Sequence, residues 1–262
     1  MRFICLAFVL TCVVTFSGCS AKTPEKPSEV SAVEQESDDF NGELDGFSDE
    51  FEDKEVYDPF SGYNRAMTTF NDGAYEYVLK PVANGYNYVM HVEVRESVRN
   101  FFNNLYFPMR FVNNVLQGKF YYAAEETGRF VINTTVGILG LFDPAKVHFN
   151  LEVHDEDFGQ TLGFYGVGSG PHIVLPIFGP SNLRDLVGIY PDSLLSPLDY
   201  TERSYWTLTD TWPEYLGAKT VEKVNFISLN MDKYEKMRRD AVDLYPYFRD
   251  VYEQYRNKQI EE

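Results

Sequence analysis

His154 stands directly before Asp155, Glu156 and Asp157. An imidazole beside three carboxylates has the composition of a metal or acid–base cluster. The same trio suits the start of a helix, where carboxylates accept from free N–H groups and face the positive end of the dipole. We take that capping reading. His91-Val92-Glu93 resembles part of a deaminase site, but no cysteine pair stands elsewhere to complete its zinc centre. His148 and His172 are the other two histidines of the chain. The sequence contains no G-x-S-x-G elbow, no H-E-x-x-H pair and no P-loop. Catalysis by scattered carboxylates is left as a minor alternative, so the chain is read as a non-enzyme without metal or cofactor.

The elements that would position these residues are helical. Asp58-Pro59 has the pattern of an N-cap followed by proline at the first helical position. Tyr63, Met67, Phe70, Ala74 and Tyr77 follow at three-to-four spacing. Pro81 is expected to interrupt this helix, and Val82, Tyr86 and Val89 mark a second. Val94, Val98, Phe102 and Leu105 mark a third. Met109, Val112 and Leu116 mark a fourth, with Gly118 as its stop. A fifth begins near Phe120. Ser181 is expected to cap a short helix carrying Leu183, Val187 and Tyr190. A charged amphipathic stretch runs from about Thr220, with a break expected at Pro246. Ile173–Leu175 is the one segment with strand character. The fold class is therefore all-α, with Gly/Pro-rich irregular segments. One domain is expected over 58–257, with a charged tail over 258–262.

Three features are unusual for such a protein. Phe130–Phe142 is a 13-residue run without charge, carrying Gly137 and Gly140. That is too short to span a bilayer and suits a core helix or a re-entrant or interfacial segment. Gly159 and Gly163 are spaced to share a helix face, and Gly166, Gly168 and Gly170 suit a bend into Pro171. Aromatic residues make up 16% of the chain, which fits a membrane interface as well as a core.

Charge is concentrated near the N-terminus. The chain carries a net −17, and residues 19–57 hold thirteen acidic residues against Lys22, Lys26 and Lys54. This segment lacks the apolar content to offset its ordering entropy and is expected to be a disordered tether. Nucleic acid is an improbable partner for so acidic a chain. Residues 1–18 have the parts of a signal peptide: Arg2, a short apolar run from Phe3 to Phe16, then Ser17 and Gly18. Phe16-Ser17-Gly18-Cys19 resembles the lipobox of bacterial lipoproteins. The resemblance implies cleavage before Cys19 and acylation, palmitate included, of that cysteine. Ser20 in place of aspartate implies the outer membrane. Cys5 and Cys12 would leave with the signal, so no disulfide or Cys-ligated metal is expected in the domain.

The segment Asp58 to Asn71, DPFSGYNRAMTTFN, resembles the opening of the MlaA/VacJ lipoprotein family. Arg129 to Ala145 is similar to its central apolar block, and Phe158 to Asp185 to its glycine-rich block. Asp58, Pro59, Tyr63, Asn64 and Arg65 match the first motif. Gly163, Gly166 and Gly168 match the glycine series, and Arg184 and Asp185 the late charged pair. The resemblance implies a single helical, ring-like domain embedded in the inner leaflet of the outer membrane, facing the periplasm. It implies removal of phospholipids from the outer leaflet through an amphipathic channel, which maintains lipid asymmetry. The implied partners are phospholipids, outer-membrane porin trimers, a periplasmic phospholipid carrier and, beyond it, an inner-membrane transporter. On this reading Gly137 and Gly140 form a channel hinge, and alanine at both would impair transfer while sparing the fold. The alternative is a structural or adhesive lipoprotein that binds a partner through its acidic tether, or less favourably a membrane-bound hydrolase.

Overall fold

A computed structural model describes residues 58–198 and 207–262. The expectations for residues 1–18, for Cys19 and for the acidic segment 19–57 fall outside the described residues. The described part is all-α: ten α-helices and one π turn, with isolated bridges and no named strand among these residues.

The first helix, α1 (Ser61–Ala74), passes through a π turn (Tyr75–Leu79) into α2 (Lys80–Val89). Pro81 therefore does not interrupt the helix. Its ring would clash with the carbonyl four residues back, and the wider turn immediately before it relieves that crowding. Asp58 is not the N-cap either. The helix begins at Ser61 after Phe60, which makes no side-chain cap bond. Asp58 instead accepts from Phe60 N at 3.1 Å and from Asn64 Nδ2 at 3.3 Å.

Next come α3 (Val92–Leu105), α4 (Phe107–Leu116) and α5 (Phe120–Thr135). Gly118 ends α4 as expected: at φ +75° its N–H reaches Val115 O at 3.0 Å, and Lys119 N reaches Asn114 O at 2.9 Å. Beyond α5 the uncharged run turns sharply. Ile138 and Leu139 are left-handed at φ +52° and +57°, and Gly140 follows at +87°. A Cβ on Gly137 would lie 2.4 Å from Phe142 O, and one on Gly140 2.4 Å from Asn104 Cβ. Alanine at either position clashes, so a double alanine variant would disturb the fold rather than spare it.

Asp143 caps α6 (Pro144–Phe149) by accepting from Lys146 N at 3.1 Å. Asp157 caps α7 (Phe158–Phe164) by accepting from Gln160 N at 2.8 Å. The loop that follows folds back on itself through single bridges, His172 with Asn182 and Leu175 with Gly179. Ile173–Leu175 thus contributes one bridge, at Leu175, and no strand. Asn182, not Ser181, caps α8 (Leu183–Leu195), accepting from Asp185 N at 2.9 Å. Ser181 lies one residue too early, and its carbonyl is held by Ile173 N.

The long α9 (Trp212–Asp240) starts well before Thr220, and α10 (Leu244–Glu261) closes the chain. The break between them is at Ala241–Asp243. Pro246 sits inside the first turn of α10, where its missing N–H has no intrahelical acceptor to lose. Residues 258–261 continue α10 rather than forming a separate tail, and Ile260 packs where a Gly163 side chain would be. Helix α9 lies on α2 and α3, α4 lies on α5, and α7 packs between α8 and α10.

Candidate functional site

Three of the helices turn polar residues inward and apolar ones outward. In α1 the residues turned inward are Asn64 and Thr68, while Tyr63 and Phe70 face out. In α4 they are Arg110, Asn113 and Asn114, while Val115 and Leu116 face out. In α5 they are Glu126, Arg129 and Asn133 beside Ala123. Among the described residues nine hydrophobic side chains are buried against twenty-two polar or charged ones. The largest buried hydrophobic cluster is small: Val98, Phe102 and Leu198. Outside, Tyr88 is 93% and Tyr77 82% exposed, with Val89, Phe120, Val136 and Val147 also bare.

Buried charge is tolerated only when paired and hydrogen-bonded, and here it is. Arg110 Nε meets Glu126 Oε2 at 2.8 Å, and Glu126 Oε1 accepts from His154 N at 2.8 Å. Arg129 Nη2 meets Asp143 Oδ2 at 2.6 Å, while Asn133 Nδ2 donates to Asp143 Oδ1 at 2.8 Å. Burial pushes the Asp143 carboxyl up, but these donors hold it below the usual carboxylate range. Lys119 and Gln117 both donate to Glu156 at 2.7 Å.

Two of the sequence motifs converge, each on a residue of α10. Asn64 Nδ2 donates to His172 O and to Tyr245 Oη, both at 3.0 Å, and its Oδ1 accepts from Val174 N at 2.9 Å. The Tyr245 hydroxyl also bonds Asp58 Oδ2. Asp58 and Asn64 thus join α1, the 172–182 loop and α10. Asp185 gathers Arg184 Nε at 3.0 Å, Arg256 Nε at 2.9 Å and Tyr252 Oη at 2.7 Å. Arg256 also donates to both oxygens of Asp157 at 2.7 and 2.8 Å. Burial opposes charge on Asp185, yet Arg256 prevails and lowers its pKa. Gly163 adjoins this network: a Cβ there would meet Arg184 Nη1 at 3.0 Å.

The other motif residues lie apart. Tyr63 is exposed, and Arg65 forms an exposed pair with Asp243 at 2.5 Å. Pro59 precedes α1 on the surface. Gly166 and Gly168 have open space around them. Gly137 and Gly140 stand in the tight turn after α5. His154, Glu156 and Asp157 go to different partners, His154 Nε2 to Glu125 Oε2 at 2.6 Å. Among the described residues no group of three or more potential ligands converges on a metal position.

Sequence reasoning missed Arg110, Glu126, Arg129 and Arg256. A signal was present: Arg110, Asn113, Asn114 and Gln117 recur at three-to-four spacing, as do Glu126, Arg129 and Asn133. A polar stripe at helical period ordinarily marks the solvent face of a helix, and here it marks the buried one.

One apolar cavity of about 220 Å³ opens between α1, the π turn, the 172–180 loop, α9 and α10. Tyr75, Leu79, Val174, Met231, Tyr234 and Phe248 form much of its wall. Asn71 pins the loop over it, donating to Leu175 O at 2.8 Å and accepting from Ile177 N at 2.6 Å.

These features define a class: an all-α domain with a largely polar interior and many exposed apolar side chains. No helix among the described residues is long and apolar enough to cross a membrane. The sequence profile of the MlaA lipoprotein family matches residues 56–259. The chain belongs to that family. It is 35% identical over 212 residues to an uncharacterised protein of Rickettsia bellii, covering 79% of this chain and 78% of that one. It is 33% identical over 198 residues to the intermembrane phospholipid transport system lipoprotein MlaA of Escherichia coli (strain K12), covering 74% and 75%. A solved structure described under "Structural basis for maintenance of bacterial outer membrane lipid asymmetry" superposes with a TM-score of 0.67 at 32% identity. That match covers 78% of this chain and all of the other.

Proposed function

We propose that this protein removes phospholipids misplaced in the outer leaflet of the outer membrane and passes them to a periplasmic carrier for return inward. It is held by acylated Cys19 in the inner leaflet, associates with porin trimers, and makes or breaks no covalent bond. The observation that carries this reading is the reversed packing. In water, exposed Tyr77, Tyr88 and Val136 and buried Arg110 and Glu126 are both unfavourable. In an apolar medium the exposure is no longer unfavourable, and the buried polar groups offer a path that hydrocarbon lacks. A lipid changing leaflets must carry its head across about 30 Å of hydrocarbon, and polar protein surface at that depth lowers the barrier. The tight turn at Gly137 and Gly140 is the proposed hinge of that path.

The test is deletion of the gene, followed by labelling of intact cells with an impermeant amine reagent. Surface-exposed phosphatidylethanolamine should rise and fall again on complementation. Unchanged labelling would overturn the reading.

A further inference from the structure

The cavity beneath the 172–180 loop combines apolar walls with an unusual charge pattern. The chain holds 40 acidic residues against 23 basic ones, yet no carboxylate lines this cavity, whereas Lys223 and Arg249 do. Arg249 is ion-paired with Asp250 at 2.7 Å. Lys223 differs: its ammonium lies 5.9 Å from the ring centres of Phe178 and of Phe226, both largely exposed. Burial lowers its pKa, and neighbouring Glu222 only partly restores it. An ammonium in an apolar, aromatic setting is an incomplete charge that an anion would stabilise.

Resting on the lipid-transport reading, we infer that this cavity receives one acyl chain of a single phospholipid, which lies against Tyr75, Met231 and Phe248 and places the phosphate oxygens on the Lys223 ammonium, the rest of the lipid staying outside. Chain and head are both needed. The apolar wall has no use for a free phosphate, and Lys223 at the rim has no use for an uncharged hydrocarbon. Asn71 and Asn64 hold the loop by its backbone, so the lipid would enter past Ile177 and Phe178, whose side chains are bare.

The full-length lipoprotein in detergent should be presented with dioleoylphosphatidylglycerol, oleate or glycerol phosphate, and bound molecules counted by native mass spectrometry. Phosphatidylglycerol should bind and glycerol phosphate should not. Lys223→Glu should weaken phosphatidylglycerol binding by about tenfold or more, with Lys223→Arg within about threefold of the parent. Met231→Trp, which fills the cavity, should abolish binding with helical circular dichroism unchanged. Equal binding by Lys223→Glu and the parent would overturn the inference, as would oleate binding that phosphatidylglycerol does not displace. If Lys223→Glu binds normally in vitro and gene deletion still raises surface phospholipid, the site is wrong and the transport reading stands. If deletion has no effect on surface lipid, the transport reading fails whatever the cavity binds.

Discussion

Arg110 and Glu126 face each other across α4 and α5 at 2.8 Å, with side-chain exposures of 5% and 0%. The pair is embedded, because Glu126 also takes the His154 N–H and thereby fixes the chain that enters α7. Removing one partner leaves the other charge buried without compensation, which costs about 3–5 kcal/mol. Glu126→Ala should therefore lower the unfolding free energy in detergent by that amount. Glu126→Gln, which keeps the shape and one acceptor oxygen but removes the charge, should cost nearly as much. A much smaller loss for Glu126→Gln than for Glu126→Ala in a denaturant titration would show that the charge pairing is not what matters there.

Asp192 gives a pH dependence with a definite sign. Burial, then the charge of Asp157, raises its carboxyl from an ordinary 3.8 to about 6, against the donors Phe158 N and Asn113 Nδ2. Between these values the folded protein binds the proton more tightly than the unfolded chain does. Its contribution to stability is thus full below pH 3.8 and is lost as pH rises to about 6. After allowance for partial exposure the change is about 2 kcal/mol. Asp192→Asn keeps an acceptor and removes the titration. The parent's stability should fall relative to this variant between pH 4 and about 6, and parallel pH profiles would refute it.

Close approach of α7 and α8 at Gly159 and Gly188 yields a contrast between two glycines. A Cβ on Gly188 would stand 2.6 Å from Gly159 N, a backbone atom with no room to yield. Gly188→Ala should destabilise by about 1–3 kcal/mol. Gly85, inside α2, has nothing within 4 Å of its Cβ position. Gly85→Ala should stabilise by about 0.5–1 kcal/mol, through helix propensity alone. Thermal unfolding of the two variants side by side should move in opposite directions.

What could be read from the sequence follows from the same packing. Helices were legible because a three-to-four repeat survives whichever face is turned inward. The repeat of Tyr63 and Phe70 locates α1 correctly but cannot tell that Asn64 and Thr68 face the interior. Gly118 was legible because its role is local, a left-handed stop set by the backbone alone. Asp58 and Ser181 have the local pattern of caps but do not cap, because distant groups decide them: Asp58 is claimed by Tyr245, 187 residues away, and Ser181 by the loop pairing. Of the site, Asn64, Arg184 and Asp185 were visible only through motif resemblance. Arg256, which holds Asp185 and Asp157 together, lies beyond the recognisable motifs.

The bare apolar surface supplies the last prediction, since its explanation depends on the medium outside it. Val136 is 69% and Phe142 56% exposed, flanking the turn after α5. In water, lysine at such positions would change stability by no more than about 0.5 kcal/mol. Against hydrocarbon each lysine costs about 2.5–3.5 kcal/mol at full depth, and less near the interface where the side chain snorkels. Val136→Lys combined with Phe142→Lys should therefore weaken contact with lipid far more than it weakens the fold in water. In a Cys19→Ala background, without the acyl anchor, the parent surface should still bring the protein to membranes, because about 25 cal/mol per Å² of buried apolar area accumulates over many side chains. The double lysine variant in that background should shift to the soluble fraction on flotation. Retention equal to the parent would mean that this face does not meet lipid.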